Sequence, residues 1–136
     1  MKKILTALLA AGAVLLASAA KPAGAPAIEF SETAHDFGTI REDGGNVSCE
    51  FAFKNTGDAP LLIVNATASC GCTRPNYPKQ PVAPGKTGKI KVTYHPKGRP
   101  GEFDKTVTVR TNVKDQKKVT LKITGVVLPE KQRSDE

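Results

Sequence analysis

Residues 47–54 read VSCEFAFK, and the alternation of apolar and polar side chains in this stretch decides the fold class. Its apolar face carries Val47, Cys49, Phe51 and Phe53. A period of two residues is that of a β-strand, in which successive side chains point to opposite faces of the sheet. The stretch therefore predicts a strand with one buried and one solvated face, which is typical of antiparallel sheets.

Other parts of the chain show related patterns. The same alternation recurs in three further stretches: 89–95, 103–110 and 118–127. Residues 61–64 are apolar on both faces, which predicts a more deeply buried strand that continues to residue 68. Shorter apolar runs complete a set of about seven strands: 28–30, 37–40 and the run near Val82.

Turn-forming residues separate these strands, among them NTGD at 55–58 and the Pro-Gly pairs at 84–85 and 100–101. Many short strands in a domain of about 100 residues predict an all-β fold, an immunoglobulin-like antiparallel β-sandwich of about seven strands. A barrel is the alternative, because periodicity does not report whether a sheet closes on itself. The antibody type of domain is excluded, since the chain has no Trp and no cysteine in the stretch 103–112.

The first residues have the three parts of a bacterial export signal. Two lysines at positions 2 and 3 supply the positive end, residues 4–16 are apolar, and Ala17-Ser18-Ala19 has the small residues of a cleavage site. The apolar run is shorter than the roughly 20 residues that span a bilayer, so a retained membrane anchor is the lesser alternative. We therefore predict a signal peptide over residues 1–19, preceding the sandwich, with cleavage near Ala17 and Ala19.

The rest of the chain divides into a linker at 20–27, the immunoglobulin-like sandwich at 28–128 and a polar tail at 129–136. The first cysteine is Cys49, so no cysteine follows the cleavage region to take a lipid, and we expect no lipoprotein. We expect the protein in the periplasm or secreted, with no stable membrane span after signal removal. Cysteines can oxidise in either location.

Length and charge exclude several classes of function. A chain of 136 residues is too short for a barrel enzyme or a doubly wound cofactor-binding fold. The net charge of +7 is spread over strands and loops, and with 2 Tyr and no Trp a nucleic-acid partner is not expected. No G-x-S-x-G motif is present, and the acidic pair Glu42-Asp43 lies in a Gly-rich turn. We predict a protein that is not an enzyme, with no catalytic residue, no cofactor and no metal site.

Three motifs carry a resemblance to a known family: HDFGTI at 35–40, FAFKNTG at 51–57 and SCGCT at 69–73. They resemble the bacterial family known as domain of unknown function 1573, which consists of exported immunoglobulin-like domains. The Cys-Gly-Cys-Thr piece is the most specific of the three, whereas the F-x-F-x-N-x-G piece is shared with hydin-like and PapD-like domains. The resemblance implies a fold and an exported location, but no activity.

The segment Cys70-Gly71-Cys72 allows three interpretations. Cα atoms two residues apart in an extended or kinked segment lie about 5.5–6.8 Å from each other, which permits a local disulfide, and Gly71 supplies backbone freedom for it. The two thiols could instead hold a soft metal ion, Cu(I) or Zn²⁺, with His95 as a further ligand. They could also remain unpaired.

The third cysteine has a simpler interpretation. Cys49 points to the same face as Phe51 and Phe53, so we expect it in the core as a small apolar residue. Along a straight hairpin Cys49 and Cys70 are too far apart for a disulfide, and a bridge between them requires a bend between residues 65 and 69.

The main hypothesis is an exported, non-enzymatic immunoglobulin-like module of the bacterial cell envelope, which binds or structurally supports another protein or envelope component. The alternative is a thiol–disulfide or soft-metal (Cu/Zn) handling protein that uses Cys70 and Cys72. The first rests on the fold class and on the absence of catalytic motifs, and the second rests on the cysteine spacing. Thiol counting with and without reductant, together with metal analysis, separates the two.

Overall fold

The computed structural model describes residues 24–130. A search of these residues for a helix with the length and hydropathy of a membrane span finds none. The predicted signal peptide, its cleavage region at Ala17 and Ala19, and most of the predicted tail lie outside the described residues. The described residues form β1 (Ile28–Phe30), β2 (Ala34–Arg41), β3 (Val47–Asn55), β4 (Ile63–Ala68), β5 (Thr73–Asn76), β6 (Thr87–Tyr94), β7 (Gly101–Thr111) and β8 (Lys118–Leu128).

These strands form two four-stranded sheets whose inner faces share one apolar core. Sheet one has the order β1-β3-β6-β5, and sheet two has the order β2-β8-β7-β4. Without the edge strand β2, seven strands remain. In chain order, the first, second, fifth and fourth of them form sheet one (β1, β3, β6 and β5), and the other three form sheet two (β4, β7 and β8). This is the arrangement of immunoglobulin-like sandwiches. The predicted fold class is confirmed, and the barrel alternative is wrong because the described strands form two separate sheets.

Two details of the sheets differ from the prediction. The short strand β5 has the sequence TRPN, which lacks apolar alternation, and the sequence pattern did not predict it. In addition, β2 lies parallel to β8, with Ala34 opposite Lys122 and Ile40 opposite Val127. A parallel pair joins strands that are distant along the chain, and local alternation carries no sign of it.

The long strands bury the faces that alternation assigns to the core. Tyr94 of β6 stacks on Phe103 of β7 across the two sheets, with the ring centroids 4.0 Å apart and the planes inclined by 13°. The buried side chains of the predicted faces are Cys49, Phe51, Phe53, Ile90, Val92, Tyr94, Phe103, Val107, Val109, Leu121, Ile123 and Val127.

The predicted two-faced strand before residue 65 is buried on one face only. Leu61 is fully buried and forms an isolated bridge to Val82, and the regular strand begins at Ile63. The register to β7 shifts just after Ile63, and Val64 is 52% exposed. A bulge of this kind turns one side chain away from the face that alternation assigns to it. The run near Val82 is this single bridge rather than a strand.

The F-x-F-x-N-x-G motif ends in a buried asparagine that joins three segments. Asn55 is fully buried, and its side-chain nitrogen donates to the carbonyl oxygens of Ala59 at 2.7 Å and Val82 at 2.9 Å. Its side-chain oxygen accepts the Gly57 N–H at 3.0 Å. Because buried polar groups need hydrogen-bond partners, this position uses both the donor and the acceptor of the Asn amide.

The H-D-F-G motif forms a bulge in β2. The register to β8 shifts between Asp36 and Thr39. Gly38 has a φ of 69°, a conformation that favours glycine, and Asp36 Oδ1 accepts its N–H at 2.8 Å. Opposite the bulge, a Cβ on Gly125 would lie 2.6 Å from the Phe103 ring. Gly125 therefore leaves room for the Phe103 ring opposite the bulge.

Core truncations should separate the two faces of the strands. Phe51→Ala and Leu121→Ala each remove a large buried side chain, and we expect each to lower the free energy of unfolding by about 2–5 kcal/mol. Lys122→Ala should change it by no more than about 0.5–1 kcal/mol, because the Lys122–Asp104 ion pair is about half exposed. Denaturant titration of the three variants measures this, and equal losses for Lys122→Ala and Phe51→Ala would contradict the face assignment.

The close approach at Gly125 gives a second expectation. Gly125→Ala should lower the free energy of unfolding by about 1–3 kcal/mol, because the added methyl group overlaps the Phe103 ring. Gly71→Ala is the matched control, since a Cβ there meets nothing within 4 Å. Thermal melting of both variants checks the prediction, and a Gly125→Ala protein as stable as Gly71→Ala would show that the Phe103 ring is not fixed at this place.

Candidate functional site

Two edge strands follow each other in the chain and lie on the same side of the sandwich. β4 is the edge of sheet two and β5 is the edge of sheet one, and residues 69–72 cross between them. An open groove of about 610 Å³ is lined by residues 66–68 of β4, by Cys70 and Gly71, and by residues 73–75 of β5. We call this feature the edge groove, and it contains the most specific sequence motif of the chain.

The structure pairs Cys70 with Cys72 in a disulfide whose Cα atoms are 5.3 Å apart. Of the three interpretations of this segment, the structure therefore contains the local disulfide. Cys49 is free and buried. The bridge between Cys49 and Cys70, which a bend after residue 65 would allow, is not formed.

Backbone hydrogen bonds fix the crossing to both sheets. The Ser69 N–H donates to a carbonyl oxygen of β7, and the His95 N–H donates to the carbonyl oxygen of Cys72, each at 2.9 Å. The Thr73 N–H donates to the carbonyl oxygen of Cys70 at 3.2 Å, which closes a tight turn around the disulfide. The backbone on either side of the two sulfurs is thus held in place by bonds that do not involve sulfur.

The two sulfurs of the crossing have different surroundings. Cys72 is 1% exposed and belongs to the core, whereas Cys70 is half-buried and lines the edge groove. Cys70 Sγ accepts the Cys72 N–H at 3.0 Å, and Cys72 Sγ lies 3.6 Å from the Thr73 hydroxyl. The disulfide therefore presents only one of its sulfurs to the groove.

Gly71 does not have the role that the sequence suggests for it. Its φ is not positive, so the backbone conformation at this position is one that other residues adopt. Gly71 is exposed, and a Cβ there would meet nothing within 4 Å. The absence of a side chain leaves open space at this part of the edge groove.

The described residues give the soft-metal alternative no ligand set. Within residues 24–130, no group of three His, Cys, Asp or Glu side chains is placed to hold a metal ion. His95 reaches Cys72 only through its backbone, and its Nε2 is buried without a hydrogen-bond partner among those residues. His35 packs edge-on against Phe37, with 4.6 Å between the ring centroids.

The free cysteine is shielded from reaction. Cys49 is 8% exposed on the inner face of β3, where it lies opposite Val92 of β6. Burial raises the pKa of the Cys49 thiol to about 11, because desolvation disfavours the thiolate. Since the thiolate is the reactive form, Cys49 is an unreactive core residue at neutral pH, as expected from the sequence.

The open edge of β4 offers backbone groups for pairing. The Ser69 N–H bonds to β7, and bonded positions alternate along an antiparallel ladder, so the N–H groups of Thr67 and Asn65 also face β7. The N–H and C=O groups of Ala66 and Ala68 therefore point away from the sheet. Residues 65–68 of this edge carry no charge and no large side chain, and nothing in them prevents another strand from approaching.

The other three edges have features that discourage pairing. β5 contains Pro75, which lacks an N–H, and the Thr73 N–H is used in its own turn. β1 has only 3 residues, and β2 is interrupted by the bulge at Gly38. Among the described strands, β4 is thus the edge best suited to pairing with another strand.

The acidic pair Glu42-Asp43 supports the loops around it. The Glu42 carboxylate accepts the N–H groups of Gly98 at 3.0 Å and Glu130 at 2.8 Å. Asp43 pairs with Arg41 at 3.0 Å, and the hydrogen bond from Arg41 lowers the pKa of the exposed Asp43 carboxyl. Both carboxylates are engaged in holding the chain, which fits a turn rather than an acid–base site.

The strand order and the apolar core define the class of this protein, an immunoglobulin-like β-sandwich. The model of the family described as "Protein of unknown function (DUF1573)" matches residues 28–127. The chain belongs to that family, which confirms the resemblance drawn from the three motifs. No curated protein matches the chain.

Solved structures with low sequence identity share the fold. A protein of unknown function from Porphyromonas gingivalis W83 has a TM-score of 0.65 and 15% identity; the match covers 74% of this chain, which spans 46% of that one. The ASH / PapD-like domain (domain 7) of human CEP192 has a TM-score of 0.63 and 12% identity, over 78% of this chain and 88% of that domain. The periplasmic chaperone SfaE has a TM-score of 0.51 and 13% identity, over 76% and 58% of the two chains. Matches to the VesC and VesB proteases of Vibrio cholerae cover 23% and 32% of those chains.

The sequence analysis found the cysteines of the edge groove but not the β4 edge. A signal for the edge was present, because residues 65–68 read NATA, without charge, proline or a large side chain. An uncharged stretch of this kind indicates a pairing edge only if its strand lies at the edge of a sheet. Local alternation does not show where in a sheet a strand lies. Of the sequence-based candidates, Cys70 lines the edge groove beside β4 and Cys72 belongs to the core.

The raised pKa of Cys49 predicts a loss of stability at alkaline pH. An unfolded thiol has a pKa of about 8.5, so between about pH 8.5 and pH 11 the unfolded chain loses this proton while the folded chain keeps it. The contribution of Cys49 to stability is complete below that range and is lost as the pH rises through it.

Denaturant titration at pH 8 and pH 10.5 measures this loss. A Cys70→Ser, Cys72→Ser background prevents disulfide exchange, and Cys49→Ala in the same background is the control. The stability difference between the two proteins should shrink with rising pH; a difference that stays constant would show that the Cys49 thiolate is not disfavoured in the fold.

Proposed function

We propose that the protein is an exported, non-enzymatic binding module of the bacterial cell envelope, which receives an extended segment of another protein as an added strand along β4. The observation that carries the proposal is the open, uncharged edge at Ala66 and Ala68. In strand addition, main-chain hydrogen bonds supply affinity and the pockets for alternate side chains supply specificity. Sheet two would gain a fifth strand in the complex.

The edge groove fits this mode of binding. A strand added beside β4 turns every second side chain towards the space between the sheets, where residues 73–75 of β5 form the other wall. Thr73 is buried, Pro75 is half-buried and Arg74 is exposed there. The groove is therefore suited to small or apolar side chains, with one cation available to an acidic group of the partner.

The fold comparisons support binding as the kind of activity. Similar structures include PapD-like domains and a protein described as a periplasmic chaperone. The matches to proteases cover less than a third of each of those chains, so the likeness concerns a part of them. The described residues contain no acid–base pair and no nucleophile with a base beside it. In the acidic pair, Glu42 accepts backbone N–H groups and Asp43 binds Arg41.

The proposed location rests on the sequence and is consistent with the disulfide. The lysine-led apolar segment and the small residues around Ala17 and Ala19 have the pattern of an export signal. A disulfide between Cys70 and Cys72 is more readily kept in the periplasm or outside the cell than in a reducing cytosol. We place the mature protein in the periplasm or among secreted proteins, without a lipid anchor.

A single substitution tests the β4 edge. Ala66→Pro removes an N–H that points away from the sheet and leaves the bonds to β7 in place, which is the position where an edge strand tolerates proline. We expect the purified mature variant to capture its partner from native envelope extracts at least tenfold less well than the wild type, with a similar free energy of unfolding.

Thr67→Val is the matched control, because it changes an exposed side chain on the same strand and keeps the backbone donor. It should capture the partner like the wild type. Hydrogen exchange of the purified complex supplies the direct readout: the amides of Ala66 and Ala68 should become protected, whereas those of β2 should not. Equal capture by Ala66→Pro and wild type, or protection along β2 instead, would refute binding at this edge.

A further inference from the structure

We infer that the Cys70–Cys72 disulfide exchanges reversibly with a cysteine carried by the strand that β4 receives. The product is a mixed disulfide that links this strand to Cys70, and we call this link the latch. The substrate class, an extended peptide with a free thiol, rests on the proposed function. The chemistry at Cys70 rests on the crossing itself: Cys70 lines the edge groove, Cys72 is buried, and hydrogen bonds hold the backbone of both.

Access decides which sulfur an incoming thiol can attack. Cys72 and Cys49 are 1% and 8% exposed, whereas Cys70 is half-buried and lines the edge groove. Gly71 adds no side chain that would cover Cys70. Thiol–disulfide exchange requires the thiolate to reach the sulfur that it attacks. Cys70 is therefore the attacked sulfur, and Cys72 is the leaving group.

Burial disfavours a thiolate on Cys72, and a hydrogen-bond donor beside its sulfur offsets that cost. The Thr73 hydroxyl lies 3.6 Å from Cys72 Sγ and can donate a hydrogen bond to it when it carries a negative charge. The His95 N–H holds the Cys72 backbone at 2.9 Å. After the disulfide opens, Cys72 thus stays in the core next to the half-buried Cys70, and its sulfur can attack Cys70 Sγ again.

The exchange consumes no further reagent. The peptide thiolate attacks Cys70 Sγ, a new S–S bond forms between them, and the Cys70–Cys72 bond breaks with its electron pair on Cys72 Sγ, which then takes up a proton. The peptide sulfur is oxidised and Cys72 is reduced. In the reverse step, the Cys72 thiolate attacks Cys70 Sγ, expels the peptide thiolate and restores the local disulfide. The result is a link that forms and opens without turnover of a substrate.

The position of Cys70 connects this chemistry to a bound strand. β4 ends at Ala68, and Cys70 follows two residues later at the end of the same groove. A peptide paired with Ala66 and Ala68 therefore passes the half-buried Cys70. Arg74 lines the groove as well, and its positive charge favours the thiolate form of a cysteine that enters.

Glutathione, a small peptide thiol, tests the chemistry without a known partner. The oxidised mature protein is treated with reduced glutathione, quenched with acid at short times and mapped by mass spectrometry. We expect glutathione on Cys70 at least tenfold more often than on Cys72. With oxidised glutathione, Cys72→Ser should accumulate the adduct on Cys70, because no resolving thiol remains. Cys70→Ser should react at least tenfold more slowly, at a rate close to that of the buried Cys49.

Two further variants keep the test independent of folding and of the proposed function. Gly71→Leu should slow the glutathione reaction at least fivefold by covering Cys70, with an unchanged circular dichroism spectrum. Ala66→Pro should react with glutathione like the wild type, because it alters strand pairing and leaves Cys70 accessible.

Each outcome has one meaning. Glutathione found equally on Cys72, or disulfide opening only as fast as Cys49 is alkylated, would show that the bond opens by unfolding and would refute the latch. In that case, a loss of partner capture in Ala66→Pro would still support strand addition at β4. Specific labelling of Cys70 together with unimpaired capture by Ala66→Pro would refute strand addition and retain Cys70 as an exchange site for small thiols.

Discussion

The stack of Tyr94 on Phe103 is the contact on which the arrangement of the two sheets depends. Tyr94 lies in β6 of sheet one and Phe103 in β7 of sheet two, and the rings are 4.0 Å apart in a nearly dry interior. Such pairs contribute about 0.5–1.5 kcal/mol beyond the burial of their area. The Phe103 ring also approaches Phe37 of β2 at 6.3 Å and fills the space that Gly125 leaves. The bulge of β2 lies opposite this glycine, so strands of both sheets meet around the Phe103 ring.

The edge groove arises from the same need to join two sheets. The chain leaves sheet two after β4 and must enter sheet one within a few residues, because β5 begins at Thr73. The tight turn at residues 70–73 accomplishes this, and hydrogen bonds of Ser69 and Cys72 connect the crossing to sheet two and sheet one. Because the chain leaves sheet two at this point, β4 keeps β7 as its one neighbour, and its open edge lies next to the disulfide.

Alternation predicted the inner faces of the long strands because burial follows the period of two directly, as Phe51, Val92 and Leu121 show. It failed where the backbone leaves that period: at the bulge that turns Val64 outward and in β5, whose TRPN sequence carries no apolar face.

Contacts between distant segments limited the prediction in another way. The parallel pairing of β2 with β8 leaves no mark in either sequence. For the candidate site, the spacing of Cys70 and Cys72 admitted a local disulfide among other possibilities, but the different burial of the two sulfurs depends on how the crossing packs against the core, which no local pattern encodes.

The pairing of β2 with β8 has a consequence for the order of folding. β2 lies near the start of the domain and β8 at its end, and Ala34 stands opposite Lys122. A chain that emerges from its N-terminus can begin sheet one with β1, β3 and β6 before sheet two has all of its members, since β8 is made last. Contacts of such long range are also slow to form, because a large loop has to close first. During that interval β2 lacks its single neighbour and β7 lacks one of its two, so a partially emerged chain exposes strand edges that the finished domain conceals.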